Sequence, residues 1–196
     1  MVRELLLGDN PFIGVSHLAQ EKARKEAAEN LLENKAKVIQ AAANGGATGF
    51  TFSTHESNLQ LLSYLRSYRE DLLNAMDYYI LAPCAQSYVR KINIEGTPTF
   101  MVSTLSDMVH TPSAILDVLM PLISLKPERL AGALIEMDLA PYLEILPKDR
   151  IKAVLLHEVV TELAIAFDLS DLLMFLADYV KDRIGVSFGL ETRNLG

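Results

Sequence analysis

The chain has 196 residues, half of them hydrophobic and 22% charged, which excludes a disordered polypeptide and allows one domain with a sizeable core. Its formal net charge is −7 and its sequence pI about 5.1, against any phosphate-backbone partner, because nucleic-acid binding needs a concentrated basic face. The single cysteine, Cys84, excludes an internal disulfide and points to a reducing, cytoplasmic setting. The apolar run in "MVRELLLGDN" is too short for a signal-peptide core, and no uncharged stretch of about 18 residues offers a membrane span.

In chain order, "ELLLGDNPF" gives a short strand over residues 4–8 and then a turn at Gly8, Asp9, Asn10 and Pro11. Residues 21–44 have helix-forming composition, with Leu31, Leu32, Val38, Ile39 and Ala42 as the apolar stripe and Gly45-Gly46 as the stop. The lysines of this segment alternate with glutamates and read as a solvated helix face. "TGFTFS" is β-branched and aromatic, a second strand; "NLQLLSYLRSYREDLLNAM" is a second amphipathic helix; "YYILAPCA" is a third strand ended by Pro83. Residues 86–110 read as an irregular insertion or a hairpin, and Thr111-Pro112 opens a helix to about Ser124. "RLAGALIEM" reads as a fourth strand, "LAPYLEIL" as a short helix and "IKAVLLHEVV" as a fifth strand. Ser170 and Asp171 read as an N-cap before "LLMFLADYVKDRI", and "IGVSFG" as a sixth strand.

Strand and helix alternate about six times, which predicts an α/β protein with a parallel sheet covered by helices. Two architectures compete: a (β/α) TIM-type barrel, incomplete at six recognised strands, and an open doubly wound sheet. A polar group follows nearly every predicted strand: Asp9 and Asn10; Ser53, Thr54, His55 and Glu56; Cys84 and Gln86; Glu136 and Asp138; His157 and Glu158; and Ser187, Glu191, Thr192 and Asn194. Parallel strands bring these ends to one side, as a barrel assembles its active site. An open sheet gathers them at one switch point instead. The even spread favours a single barrel-like domain over 1–196. A complete barrel takes about 250 residues, and an incomplete one exposes a sheet edge through which a homo-oligomer would form.

His55, His157, Glu136 and Glu158 are the candidate catalytic groups, since imidazole transfers protons near neutral pH and carboxylates orient it. Asp9, Asn10, Ser53, Gln86, Ser187 and Asn194 are candidates for binding substrate. His17, His55, His157, Glu136 and Asp138 form a mixed set that a divalent metal could use, although no HExxH-type motif is present. Cys84 reads as a small buried hydrophobe or, less favourably, a nucleophile. The expected ligand is a small polar metabolite: a carbonyl compound, a sugar or a phosphorylated compound.

"AVLLHEV" is similar to the histidine-ending strand of aldo-keto reductases, and "IGVSFGLETRNLG" to their "IGVSN" strand and following loop. The resemblance implies a barrel, a catalytic place for His157, a place for Ser187 near cofactor or substrate, and NADPH as cofactor. It departs at two points: Ser53, Thr54, His55 and Glu56 stand where that family has an aspartate followed by a tyrosine, and Pro83-Cys84 where it has a lysine. "GDNPFIGVSHL" with "STHES" also resembles a poorly characterised set of barrel proteins. The third expectation is a non-catalytic, truncated barrel that binds a partner.

Overall fold

The computed structural model describes residues 4–15, 21, 31–83 and 127–192. The predicted helix from Thr111 and the insertion at 86–110 lie outside these, as do His17, Cys84, Gln86 and Asn194. The described elements are β1 (Leu6–Gly8), α1 (Asn10–Ile13), α2 (Leu32–Asn44), β2 (Gly49–Ser53), α3 (Glu56–Tyr68), α4 (Glu70–Ala75), β3 (Asp77–Ala82), α5 (Pro127–Ile145), a 3-10 turn at Lys148–Arg150, β4 (Ile151–Leu156), α6 (Glu158–Ala166), α7 (Ser170–Arg183) and β5 (Ser187–Leu190). The five strands form one all-parallel sheet in the order β1-β2-β3-β4-β5. Consecutive strands are neighbours throughout, so the described sheet has no point at which the order reverses. No helix among the described residues is long and apolar enough to cross a membrane.

The chain divides into two compact units: residues 1–81 with 140–154, and residues 82–139 with 155–196. In the first, the register pairs Phe50 with Tyr78 and Phe52 with Ile80, so these four side chains share one face of the sheet. All four are buried. The rings of Phe50 and Phe52 stack with centroids 5.2 Å apart, and Phe12, Tyr78 and Tyr142 close around them. The opposite face carries Leu6, Thr51 and Tyr79, which are half-buried or exposed, and Ser53 at its tip. Gly49 lies on this face because there is no room for more: a Cβ there would stand 2.8 Å from Leu6 Cδ2 and 3.0 Å from the Asp77 carbonyl. In the second unit α5 and α7 approach closely at Gly132, whose Cβ position is 3.0 Å from the Tyr179 ring. Tyr179 Oη then donates to Glu136 at 2.6 Å.

Four sequence expectations are corrected here. "RLAGALIEM" is not a strand: it forms one helix with the segment after it, α5. Its buried residues Ile135, Leu139 and Tyr142 recur at spacings of four and three, a helical period that outweighs the short apolar run. The predicted fifth strand stops at Leu156, because His157 caps a helix there, and Val159 and Val160 belong to α6. The sixth strand begins only at Ser187, since α7 runs on to Arg183 and Gly185 turns the chain at φ +83°. The second amphipathic helix also breaks at Arg69, where Glu70 and Asp71 supply the acidic first turn of a new helix.

Candidate functional site

Asp9 leaves β1 at the N-cap position of α1, but its carboxylate makes no cap there. It reaches across to the end of β2 instead. Its Oδ2 accepts from Ser53 N at 2.8 Å, from Ser53 Oγ at 2.7 Å and from Asn58 Nδ2 at 2.7 Å. Asn58, wholly buried in the first turns of α3, also donates to the Ser53 carbonyl at 2.9 Å. Three donors converge on one oxygen of a carboxylate that is only 9% exposed, so its orientation is fixed. Among the described residues none donates to its Oδ1. Among the described residues the buried Asn58 Oδ1 also finds no donor, so the node is built at the expense of one orphaned acceptor.

The two histidines occupy equivalent places. His55 follows β2 and is the N-cap of α3, with Nδ1 accepting from Ser57 N at 3.2 Å. His157 follows β4 and is the N-cap of α6, with Nδ1 accepting from Val159 N at 3.4 Å. Both side chains are half-buried. The backbone around each is also tied down. Tyr142 Oη donates to the His55 carbonyl at 2.9 Å, and His157 N donates to the Ala82 carbonyl at 3.2 Å. Beyond β5 the Glu191 carboxylate accepts from Glu158 N, and Thr192 Oγ1 donates to Glu162 at 2.6 Å. A protein carboxylate therefore already sits at the start of α6, where the loop after β5 would otherwise offer an anion site.

Asp9, Ser53 and His55 are thus brought to neighbouring strand ends within one unit, while Asn10 is taken up as the first residue of α1. His157 and Glu158 stand together in the other unit. Glu136 and Asp138 do not follow a strand. They lie inside α5, with Glu136 held by Tyr179 and by Arg183 at 3.4 Å. Ser187 opens β5, so it stands at the leading end of the strand and not at its tip. Among the described residues no three histidine, cysteine, aspartate or glutamate side chains group to hold a metal ion.

Two residues of this region carry no obvious sequence signal. Asn58 looks like an ordinary helical polar residue, and only its offset of five from Ser53 relates it to the strand end. Lys35 belongs to the run read as a solvated face, yet it is 6% exposed and donates to the Phe12 carbonyl at 2.9 Å. Burial lowers its ammonium pKa from the usual lysine value, and among the described residues no carboxylate lies within ion-pair distance of it. It satisfies a carbonyl at the end of α1, the segment that carries Asp9 into place.

No protein family model, no curated protein and no solved structure matches this chain.

Proposed function

We propose that this chain is a (β/α)-barrel-type enzyme, incomplete in its strand number, that acts on a small polar metabolite by histidine–carboxylate chemistry at the C-terminal ends of its strands. The observation that carries the reading is Asp9: a buried carboxylate whose Oδ2 takes three donors and whose Oδ1 takes none from the described residues. Such a group holds its place without a ligand and offers a fixed acceptor to a hydroxyl or amine, or to a proton leaving one. His55 stands two residues beyond Ser53, and His157 with Glu158 occupies the corresponding junction after β4. The barrel reading is supported by the sequential strand order. With neighbours joined in this order, crossovers of the usual right hand would all step the same way and keep the helices on one face. The other face, with Leu6, Thr51 and Tyr79, is the less covered one, and Ser53 points to it.

The test is a thermal-shift screen of carbonyl compounds, sugars and phosphorylated metabolites. A ligand at about 100 times its Kd stabilises by about 2.7 kcal/mol. For a chain of this length that raises the melting temperature by about 5–10 °C. The shift is expected to vanish in Asp9→Asn. If no compound of these classes moves the wild-type transition, the reading fails.

A second reading, an interaction subunit, is favoured by one observation. Val159, Leu163, Ile165, Phe167, Leu169 and Met174, on and beside α6 and α7, are 42–71% exposed, a density of apolar surface that partner-binding proteins show. Sedimentation equilibrium distinguishes it: association that Leu163→Glu abolishes, with no metabolite response, would replace the enzymatic reading.

A further inference from the structure

The strand end at Asp9 lies wholly within the first unit. Ser53 gives both its N–H and its hydroxyl proton to Asp9 Oδ2. Asn58 gives one amide hydrogen to the same oxygen and the other to the Ser53 carbonyl. Thr54 N donates to the Leu81 carbonyl, His55 N to the Ser53 carbonyl, Ser57 N to His55 Nδ1 and Asn58 N to the His55 carbonyl. Between residues 53 and 58 the N–H of Glu56 alone finds no acceptor among the described residues, and that residue brings a negative charge of its own. A hydroxyl has one proton and a primary amide two, so the side chains of the node have none left to donate. A helix start is the usual place for a phosphate, but the start of α3 is already filled by the protein's own acceptors. Two acceptors remain in the node. Asn58 Oδ1 is wholly buried, whereas Asp9 Oδ1, which also meets no donor among the described residues, is not sealed off.

We propose that this strand end receives the primary ammonium group of a small amine-bearing metabolite at Asp9 Oδ1, and excludes phosphate. The proposal narrows the enzymatic reading and rests on it for turnover; the choice of group rests on the exhausted donors. Asp9 is a buried carboxylate whose three partners are all neutral. An ammonium at Oδ1 supplies both a donor and the missing opposite charge, the strong kind of hydrogen bond. A hydroxyl supplies the donor without the charge. A phosphate or carbonyl oxygen at the same place meets a carboxylate and finds no hydrogen bond to replace the water it gives up. A divalent metal is the poorer cation for this node, because among the described residues no three histidine, cysteine, aspartate or glutamate side chains group around an ion.

The test titrates the full chain with the smallest compounds that carry each group: methylammonium, methanol and methyl phosphate, at neutral pH and constant ionic strength. Proton–nitrogen correlation spectra read the Ser53 and Asn58 amide signals. Methylammonium is expected to move them saturably, with a Kd about tenfold below that of methanol, and methyl phosphate to leave them in place. In Asp9→Asn the amide oxygen must stand where Oδ2 stood to keep its three donors, which puts the NH2 group where Oδ1 stood. An acceptor becomes a donor, and the methylammonium response is expected to disappear. Should that variant not fold, the ratio measured on the wild type decides alone. Equal binding of methanol, a shift caused by methyl phosphate, a saturable shift with magnesium in place of methylammonium, or no saturable shift at all overturns the proposal. The two readings fail separately. A phosphorylated hit in the metabolite screen, with no methylammonium shift, would sink this inference and leave the enzymatic reading standing; a methylammonium shift with an empty screen would do the reverse.

Discussion

Ser53→Ala removes one of the three donors on Asp9 Oδ2 and touches nothing else in the node, because the backbone N–H at 2.8 Å and the Asn58 amide at 2.7 Å remain. The lost bond is a hydroxyl to a buried carboxylate at 2.7 Å, a class worth about 1.5–3 kcal/mol. An expected cost of about 2 kcal/mol corresponds to a fall in melting temperature of about 4–8 °C for a chain of this size. Asp9→Asn keeps the shape but removes the charge that makes all three bonds strong, so the Ser53 hydroxyl loses most of its value in that background. The double-mutant cycle is therefore expected to show a coupling of about 1–2 kcal/mol. Urea unfolding followed by circular dichroism gives each corner as a shift in midpoint at constant slope. If Ser53→Ala costs the same with and without the Asp9 carboxylate, the hydroxyl is not bound to it in solution and the node is not the organising feature of this strand end.

Phe52→Ala empties the centre of the aromatic cluster, where Phe50, Tyr78 and Tyr142 all meet the ring, and is expected to cost about 3–5 kcal/mol in the same urea assay. Gly49→Ala drives a methyl to within 3.0 Å of the Asp77 carbonyl and is expected to cost about 1–3 kcal/mol; a neutral result would mean that β2 and β3 are spaced more widely than described. Burial lowers the Lys35 pKa below 10.5, so between that lowered value and 10.5 the unfolded chain binds more protons and stability rises with pH. Lys35→Met is expected to remove that rise on the alkaline side below pH 10.5, and an unchanged slope would contradict the burial. Above about pH 10 the sign reverses, because the Glu4 hydrogen bond holds the Tyr79 phenol up to about 12 and the folded chain keeps its proton longer than the unfolded one. His157→Ala is expected to abolish any turnover found while leaving the far-ultraviolet spectrum unchanged; surviving turnover would remove His157 from the catalytic set.

The parallel sheet was legible because four of its strands announce themselves locally. "GFTFS", "YYILA" and "IKAVLL" are β-branched or aromatic runs bounded by polar residues, and the short "LLG" is bounded by its turn. What misled was an apolar stretch without periodicity over a short window. "RLAGALIEM" is apolar enough for a buried strand, and only its continuation to Tyr142 reveals the helical spacing of 135, 139 and 142. That error carried Glu136 and Asp138 to a strand end they do not occupy, because a residue placed by its element inherits the element's mistake. The opposite happened at residue 157. The strand expected over 151–160 is too long, yet the histidine stands at the junction, since a polar residue inside an apolar run marks a boundary whichever element follows. Asn58 and Lys35 were invisible for a different reason. Both are polar residues in polar-looking helices, and their burial is decided by α1 folding over them and by Asp9 reaching 44 residues ahead to Ser53.

Local rules are broken at three places in the first unit: an imidazole caps α3 where asparagine would serve, and, among the described residues, the buried Asn58 Oδ1 meets no hydrogen-bond donor and the buried Lys35 no counter-ion. Each of these costs stability, about 1–3 kcal/mol in the case of the orphaned acceptor. An apolar side chain at 35 or 58 would remove the cost at that position. All three departures attach to the same short stretch of structure: α1, the strand end that Asp9 reaches, and the start of α3. Folds tolerate such departures where they position chemistry, since preorganised polar groups are maintained against the free energy of the fold. Their concentration around one carboxylate, while the aromatic face beneath is packed without a polar group out of place, is what separates this strand end from an ordinary turn.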